Sequence, residues 1–514
     1  MNGVEAILRT LANNGVEVCF TNPGTSEMQV VSAFDREQRV RPVLCLFEGV
    51  ATGAADGYAR MTGKPASTLL HLGAGLANGS ANLHNARRAH SPIVNIVGDH
   101  ARYHRALDAP LASNIAGLAW PNSIWVKTAE TPDEAAALTS EAIAASQTGA
   151  GGPATLILPA DCAWSEASWV GPAVTAPARA RPDAGRIRKI AEALKAAKKP
   201  MILLGSGAFA EQGVVAAGRI ALRSARVAID TFVARQPRGA GRYAPERTPY
   251  FGEMALASLK GVDLLVLAST KAPVAFFSYP GAPSLLVPES CALETLATPE
   301  EDATFALQAL ADELSAPVRP VVAERAAHAT APTGSLTADS IGISLARHMP
   351  EHAIVSDDAV TAGLPIYMRT MSARPHDWLC LAGGAIGQGI PVAVGAAIAL
   401  SQRKTLCLTG DGAGAYTVQG LWTMARENLD VVVVVFANHA YRILNIELAR
   451  TKSGVPGPRA HRLLDLGGPR MDWASLAKGF GIPAIRCETA DSFDAELAGA
   501  IAERGPTLIE AQIG

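Results

Sequence analysis

Gly410-Asp411-Gly412, followed one strand later by Asn438, places a carboxylate and an amide oxygen where parallel strands deliver ligand-binding groups. The pattern predicts a buried strand over 405–408, a tight turn at the Gly-Asp-Gly, a helix over 416–427 and a second buried strand over 431–436 ending at Asn438. A strand, crossover helix and parallel strand return to the same sheet edge, so Asp411 and Asn438 should emerge side by side. One carboxylate and one amide suit a hard cation that keeps its other positions for phosphate oxygens and water, which is the habit of Mg²⁺. The small residues Gly412, Ala413 and Gly414 let backbone N–H groups approach a diphosphate.

The elements that must position these groups repeat along the chain. Its 514 residues exceed one hydrophobic core, and 49% apolar content with 18% charged residues describes a globular protein with a large buried interior. Two stretches rich in Pro and Ala, 168–185 and 315–335, read as linkers. They predict an α/β protein of three domains, 1–167, 186–314 and 336–514, each a parallel β-sheet covered by helices on both faces. The runs STLLHLGAGLANGSANLHNARRAHSPIVNIVGDH and KTLCLTGDGAGAYTVQGLWTMARENLDVVVVVFANH share one strand, glycine turn, helix, strand rhythm, as two copies of a duplicated unit would.

The net charge of -2 gives no reason to expect nucleic acid. The N-terminus is amphipathic and carries Glu5 and Arg9, the longest apolar runs fall short of a membrane span, and a cytoplasmic location is the expectation. Seven scattered cysteines show no metal or redox spacing and read as buried apolar residues.

The segment GDGAGAYTVQGLWTMARENLDVVVVVFANHAY resembles the cofactor motif of thiamine-diphosphate enzymes. The resemblance extends through NPGTSE (22–27), FEGVATGAADGYARMTGKP (47–65), GGAIGQGIPVAVGAA (383–397) and PTLIEAQI (506–513), and is nearest to benzoylformate decarboxylase within the group that includes acetolactate synthase and pyruvate oxidase. It implies thiamine diphosphate and Mg²⁺ as cofactors, with Asp411, Asn438 and the backbone carbonyl of Ala440 as metal ligands and Gly410, Gly412, Ala413 and Tyr441 beside the diphosphate. His439 and Ala440 stand where the family usually has Asn and Gly. The resemblance assigns Glu48 to the aminopyrimidine ring, where it promotes loss of the C2 proton. It assigns Ile386 to the wedge that bends the cofactor, and the carbonyl of Gly384 to the aminopyrimidine amine. Thr25 and His71 match pocket positions over the reacting carbon, able to hold a carboxylate or relay protons. His100 and His104 are weaker candidates, and His84 and His90 read as structural.

The implied activity is non-oxidative decarboxylation of a 2-oxo acid, with carboligation as a side reaction, in a dimer or tetramer whose sites lie between subunits. An acetolactate-synthase-like carboligase is the alternative, and a catalytically silent thiamine-diphosphate-binding protein a remote one. LHLGAGLANG stands where a TSGPGATN-like turn is usual in acetolactate synthases, and the middle segment lacks the Arg and Gly elements expected for FAD; these absences point to a non-oxidative decarboxylase without FAD and away from acetolactate synthase or pyruvate oxidase. The segment 449–464 is a candidate to close the active-site mouth.

Overall fold

The computed structural model describes residues 1–325, 330–451 and 454–513, arranged around three sheets. The first runs Arg41–Leu44, Val18–Asn22, Ala66–Leu70, Ile93–Asp99, Pro153–Pro159, Trp125–Thr128, all parallel. The second, also parallel, runs Glu246–Arg247, Arg226–Ile229, Pro200–Leu204, Leu264–Ala268, Ala292–Ala297. In the third, Ala484–Cys487, Thr507–Gln512, Val431–Ala437, Thr405–Gly410, Ala353–Asp358 and His376–Leu379 are parallel. A short seventh strand from the central segment, Gln236–Arg238, adds antiparallel at the edge. That strand departs from the expectation of purely parallel sheets confined to their own segments. The linker 168–185 is tied down along its length, with Gly171 N donating to Thr10 Oγ1. The second linker includes residues 326–329, which lie outside the described residues, as do 452 and 453 within the candidate mouth segment.

Counted in chain order within each domain, the parallel strands of the first and third sheets share one arrangement, 2-1-3-4-6-5. The rhythm that the two runs share in sequence is thus matched by a shared strand order. Strand 1 leads to a neighbour on one side and strand 3 pairs on its other side, so chain connections diverge between them and leave a crevice at the carboxyl edge. Every candidate residue of the two halves leaves from that edge. NPGTSE follows strand 1, Glu48 strand 2 and His71 strand 3 of the first sheet; Gly383–Gly389 follows strand 2, Asp411 strand 3 and Asn438 strand 4 of the third.

The two halves meet through the helices Glu48–Thr62 and Gly389–Ala399. Their backbones touch, since a Cβ on Gly57 would lie 2.2 Å from Val392 O and one on Gly395 1.8 Å from Ala54 O. This contact explains why the first helix is buried through Met61 despite its charged ADGYAR segment. Its Asp56 and Arg60 pair at i,i+4 with side chains 0% and 1% exposed. Arg60 also donates to Cys380 O at 2.7 Å and Gln388 Oε1 at 3.0 Å, and Ser91 Oγ donates to Asp56. Buried charges persist when paired and fully hydrogen-bonded, and this set joins the halves.

Candidate active site

The strand Thr405–Gly410 is continuous with a helical turn, Asp411–Gly414, capped by Gly410 in extended conformation. The expected glycine turn is therefore the first turn of a helix. The single helix expected over 416–427 is instead the end of a 3-10 turn, Ala415–Thr417, followed by the helix Gly420–Arg426. A first turn leaves its N–H groups without intrahelical backbone partners, so the Ala413 and Gly414 amides lie at the sheet edge ready for an anion, while that of Gly412 turns back to Asp411. Asp411 is 3% exposed; its Oδ1 accepts from Gly412 N at 2.8 Å and its Oδ2 from His439 N at 2.7 Å.

Asn438 follows the next strand, and its Oδ1 accepts from Ala440 N at 3.0 Å. Between them His439 takes φ +54, the left-handed conformation Asn adopts most easily, and its Nε2 meets Gln512 Oε1 at 2.8 Å. The substitution of His for the usual Asn thus keeps the turn and adds a tie to the last strand. Ala440 O accepts from Arg442 N at 2.8 Å, leaving its second lone pair. The Tyr441 ring packs over Gly412.

Burial pushes the Asp411 carboxyl above its ordinary range, and the donors at its oxygens, all backbone amides, offset this only in part. A buried carboxylate met by amide dipoles, with an amide oxygen and a carbonyl oxygen on the adjoining turn, has the chemistry of a divalent-cation site lacking only the cation's charge. The residues fit Mg²⁺ and a diphosphate.

Beside this site the loop Gly383–Gly389 is clamped from three directions. Asn85 donates to Ala385 O at 2.8 Å and accepts from Ala385 N at 3.1 Å, while His84 Nε2 meets Gly383 O at 3.1 Å. Asp358 Oδ2 accepts from Gly387 N at 2.8 Å and Gly389 N at 3.1 Å, and Thr417 Oγ1 donates to Gly387 O at 2.8 Å. Gly384 has φ +78 and lies against the Phe276 ring; Ile386 is half-buried at the middle of the clamp. His84, read from sequence as structural, is one of the clamps, and Asn85, Asp358 and Thr417 were not among the sequence candidates.

In the first half Glu48 opens its helix, 6% exposed, and Asn78 Nδ2 donates to its Oε2 at 3.0 Å. His71 caps the helix Leu72–Ala89. Glu48 and His71 flank Gly75, whose added Cβ would lie 3.2 Å from Glu48 Oε1 and 3.4 Å from His71 Cβ. The two residues therefore stand on either side of one helical position. His71 Nδ1 lies 2.8 Å from Glu27 Oε2 and 3.1 Å from Ser26 Oγ. Thr25 is exposed at the start of the same one-turn helix, so the residues that grip His71 are the next two in the chain. The signal was available: Asn22 pairs with Leu70, so NPGTSE and His71 leave neighbouring strands together. The His100 and His104 rings pack against each other at a tilt of 54°, with centroids 5.3 Å apart.

Residues 1–117 match the profile of the thiamine pyrophosphate enzyme N-terminal TPP binding domain, and residues 366–511 that of the C-terminal TPP binding domain. A Mycobacterium tuberculosis H37Rv protein, provisionally named acetolactate synthase large subunit IlvX, is 50% identical across 99% of this chain and 98% of its own length. The chain belongs to the thiamine pyrophosphate enzyme family. Within that family it is also similar to the benzoylformate decarboxylase of Pseudomonas aeruginosa, at 26% identity over 97% of this chain and 96% of that protein. The fold superposes on a Rhodococcus jostii thiamine diphosphate-dependent 4-hydroxybenzoylformate decarboxylase with TM-score 0.87, covering 100% and 99% of the two chains at 24% identity. Among the described residues no helix is long and apolar enough to cross a membrane.

Proposed function

We propose that this chain is a Mg²⁺- and thiamine-diphosphate-dependent, non-oxidative decarboxylase of a 2-oxo acid. It works in the cytoplasm as a homodimer or tetramer with its sites between subunits. In this reading domain 1–167 holds the pyrimidine, 336–514 the diphosphate, and 186–314 lies between them. The observation that supports the reading is the buried Glu48 standing with His71 on either side of Gly75. A protein that only bound the cofactor would need neither group. When bound, thiamine diphosphate supplies the carbon nucleophile and the electron sink that lets CO₂ leave.

The chain's own groups do the rest. Asp411, Asn438 and the Ala440 carbonyl would hold Mg²⁺, and the Ala413 amide, with Gly410, Gly412 and Tyr441, would surround the diphosphate. Glu48 would hold a proton at the pyrimidine ring. The clamped loop presents Ile386 as a wedge and the Gly384 carbonyl as an acceptor. His71 would move a proton at the substrate, and Thr25 would contact its carboxylate.

CO₂ release is to be measured from pyruvate, branched and aromatic 2-oxo acids with wild type and Glu48→Gln. Release by wild type and its loss in the variant are expected; unchanged release in the variant refutes the assigned chemistry. The name of the 50% relative favours a second reading, an acetolactate-synthase-like carboligase. Acetolactate formed from pyruvate would decide for it.

A further inference from the structure

We infer that Glu27 is a positioning residue that fixes His71 as its Nδ1–H tautomer, so that Nε2 carries the lone pair of the neutral ring. Two oxygens surround Nδ1: Glu27 Oε2 at 2.8 Å and Ser26 Oγ at 3.1 Å. The single hydroxyl proton of Ser26 is directed to Glu27 Oε1 at 2.7 Å, so towards the ring its oxygen can only accept. A carboxylate also only accepts. Both neighbours therefore require the ring proton on Nδ1, which leaves Nε2 unprotonated in the neutral ring.

The surroundings are shaped for this pair. The Glu27 side chain is 1% exposed, with Gly24 N donating to its Oε2 at 2.9 Å, whereas the His71 side chain is 20% exposed. A Cβ on Gly98 would stand 1.9 Å from Glu27 Oε1, and one on Gly24 would stand 2.1 Å from His71 Nδ1. Both glycines give up the volume the pair occupies. An imidazole held this way is a proton acceptor at Nε2, with a carboxylate opposite Nδ1 to balance the charge when the proton arrives. In its neutral form it is a poor anchor for a substrate carboxylate. That task falls to other groups.

The tautomer stands independently of the decarboxylase reading, whereas the effect on turnover rests on it. The test is ¹⁵N NMR of the imidazoles of the full-length protein near pH 8.5, with His71→Gln identifying the resonance. Wild type is expected to show the proton on Nδ1, and Glu27→Ala to shift the population towards Nε2–H. In CO₂ release, Glu27→Ala should lower kcat by ~10²-fold or more while KM and the affinity for thiamine diphosphate with Mg²⁺ stay within about threefold of wild type.

Glu27→Gln keeps an acceptor and should preserve the tautomer and part of the rate, which also serves should the alanine variant misfold. His71→Ala with Glu27→Ala should be no slower than His71→Ala alone, because positioning has no effect once its target is gone. An Nε2–H ring in wild type, or additive losses in the double variant, would overturn the inference. A wild type that turns over no 2-oxo acid, yet shows the Nδ1–H ring, would defeat the decarboxylase reading and leave this one standing.

Discussion

Asp358 offers a quantitative check on how the clamp around Ile386 is built. It is 1% exposed; one oxygen holds the amides of Gly387 and Gly389, and the other, Oδ1, is buried with no hydrogen-bond partner among the described residues. Burial pushes its carboxyl from 3.8 to about 7, the neighbouring Asp357 adds to the rise, and the amides of Gly389, Gly387 and Gln388 offset part of it. A folded-state value above the unfolded one means the native protein holds this proton more tightly. The resulting stability is complete below the unfolded value and is lost as pH rises through about 7. Integrating that linkage between about pH 5.5 and about pH 8.5 gives a loss of ~2 kcal/mol from this one group.

Asp358→Asn keeps the shape and the acceptor for the two glycine amides but cannot ionise. Urea unfolding of the cofactor-free protein, followed by tryptophan fluorescence across that pH range, isolates the group because other titrations cancel in the difference. The variant should gain ~2 kcal/mol on wild type from the acid to the alkaline end. A difference that stays flat with pH would show that Oδ1 has a partner and would refute the reasoning.

Other outcomes follow from the same geometry. Asp411→Ala should weaken binding of thiamine diphosphate in Mg²⁺ by ~100-fold or more, read by calorimetry, because it removes the one carboxylate at the cation site. Arg60→Ala strands Asp56 in the seam between the halves and should cost about 3–5 kcal/mol in thermal or denaturant unfolding. Gly57→Ala forces a Cβ to 2.2 Å from Val392 O and should cost about 1–3 kcal/mol, with the melting temperature falling accordingly.

The sequence carried the rhythm of strands and helices, and parallel β-α-β geometry alone brought Asp411 and Asn438 to one edge. The roles of Glu48, Gly384 and Ile386 came by resemblance and not from periodicity. What stayed hidden depended on tertiary register. Glu27 lies 44 residues from His71, and their contact follows only once the strands ending at Asn22 and Leu70 are known to be neighbours. The break in the helix after Asp411 has no mark in hydrophobic period, because Gly412 and Gly414 are permissive of both turn and helix. The antiparallel strand Gln236–Arg238 and the buried Asp56–Arg60 pair are set by domains docking on one another, which local pattern does not encode.

The central claim is that one coenzyme is gripped at both ends, and a crystal structure of the protein loaded with thiamine diphosphate and Mg²⁺ tests it most directly. The account predicts the metal on Asp411, Asn438 and the Ala440 carbonyl, with the Glu48 carboxyl of a second copy about 2.7 Å from a pyrimidine nitrogen. A diphosphate bound elsewhere, or a pyrimidine with no Glu48 from either copy in reach, would contradict it.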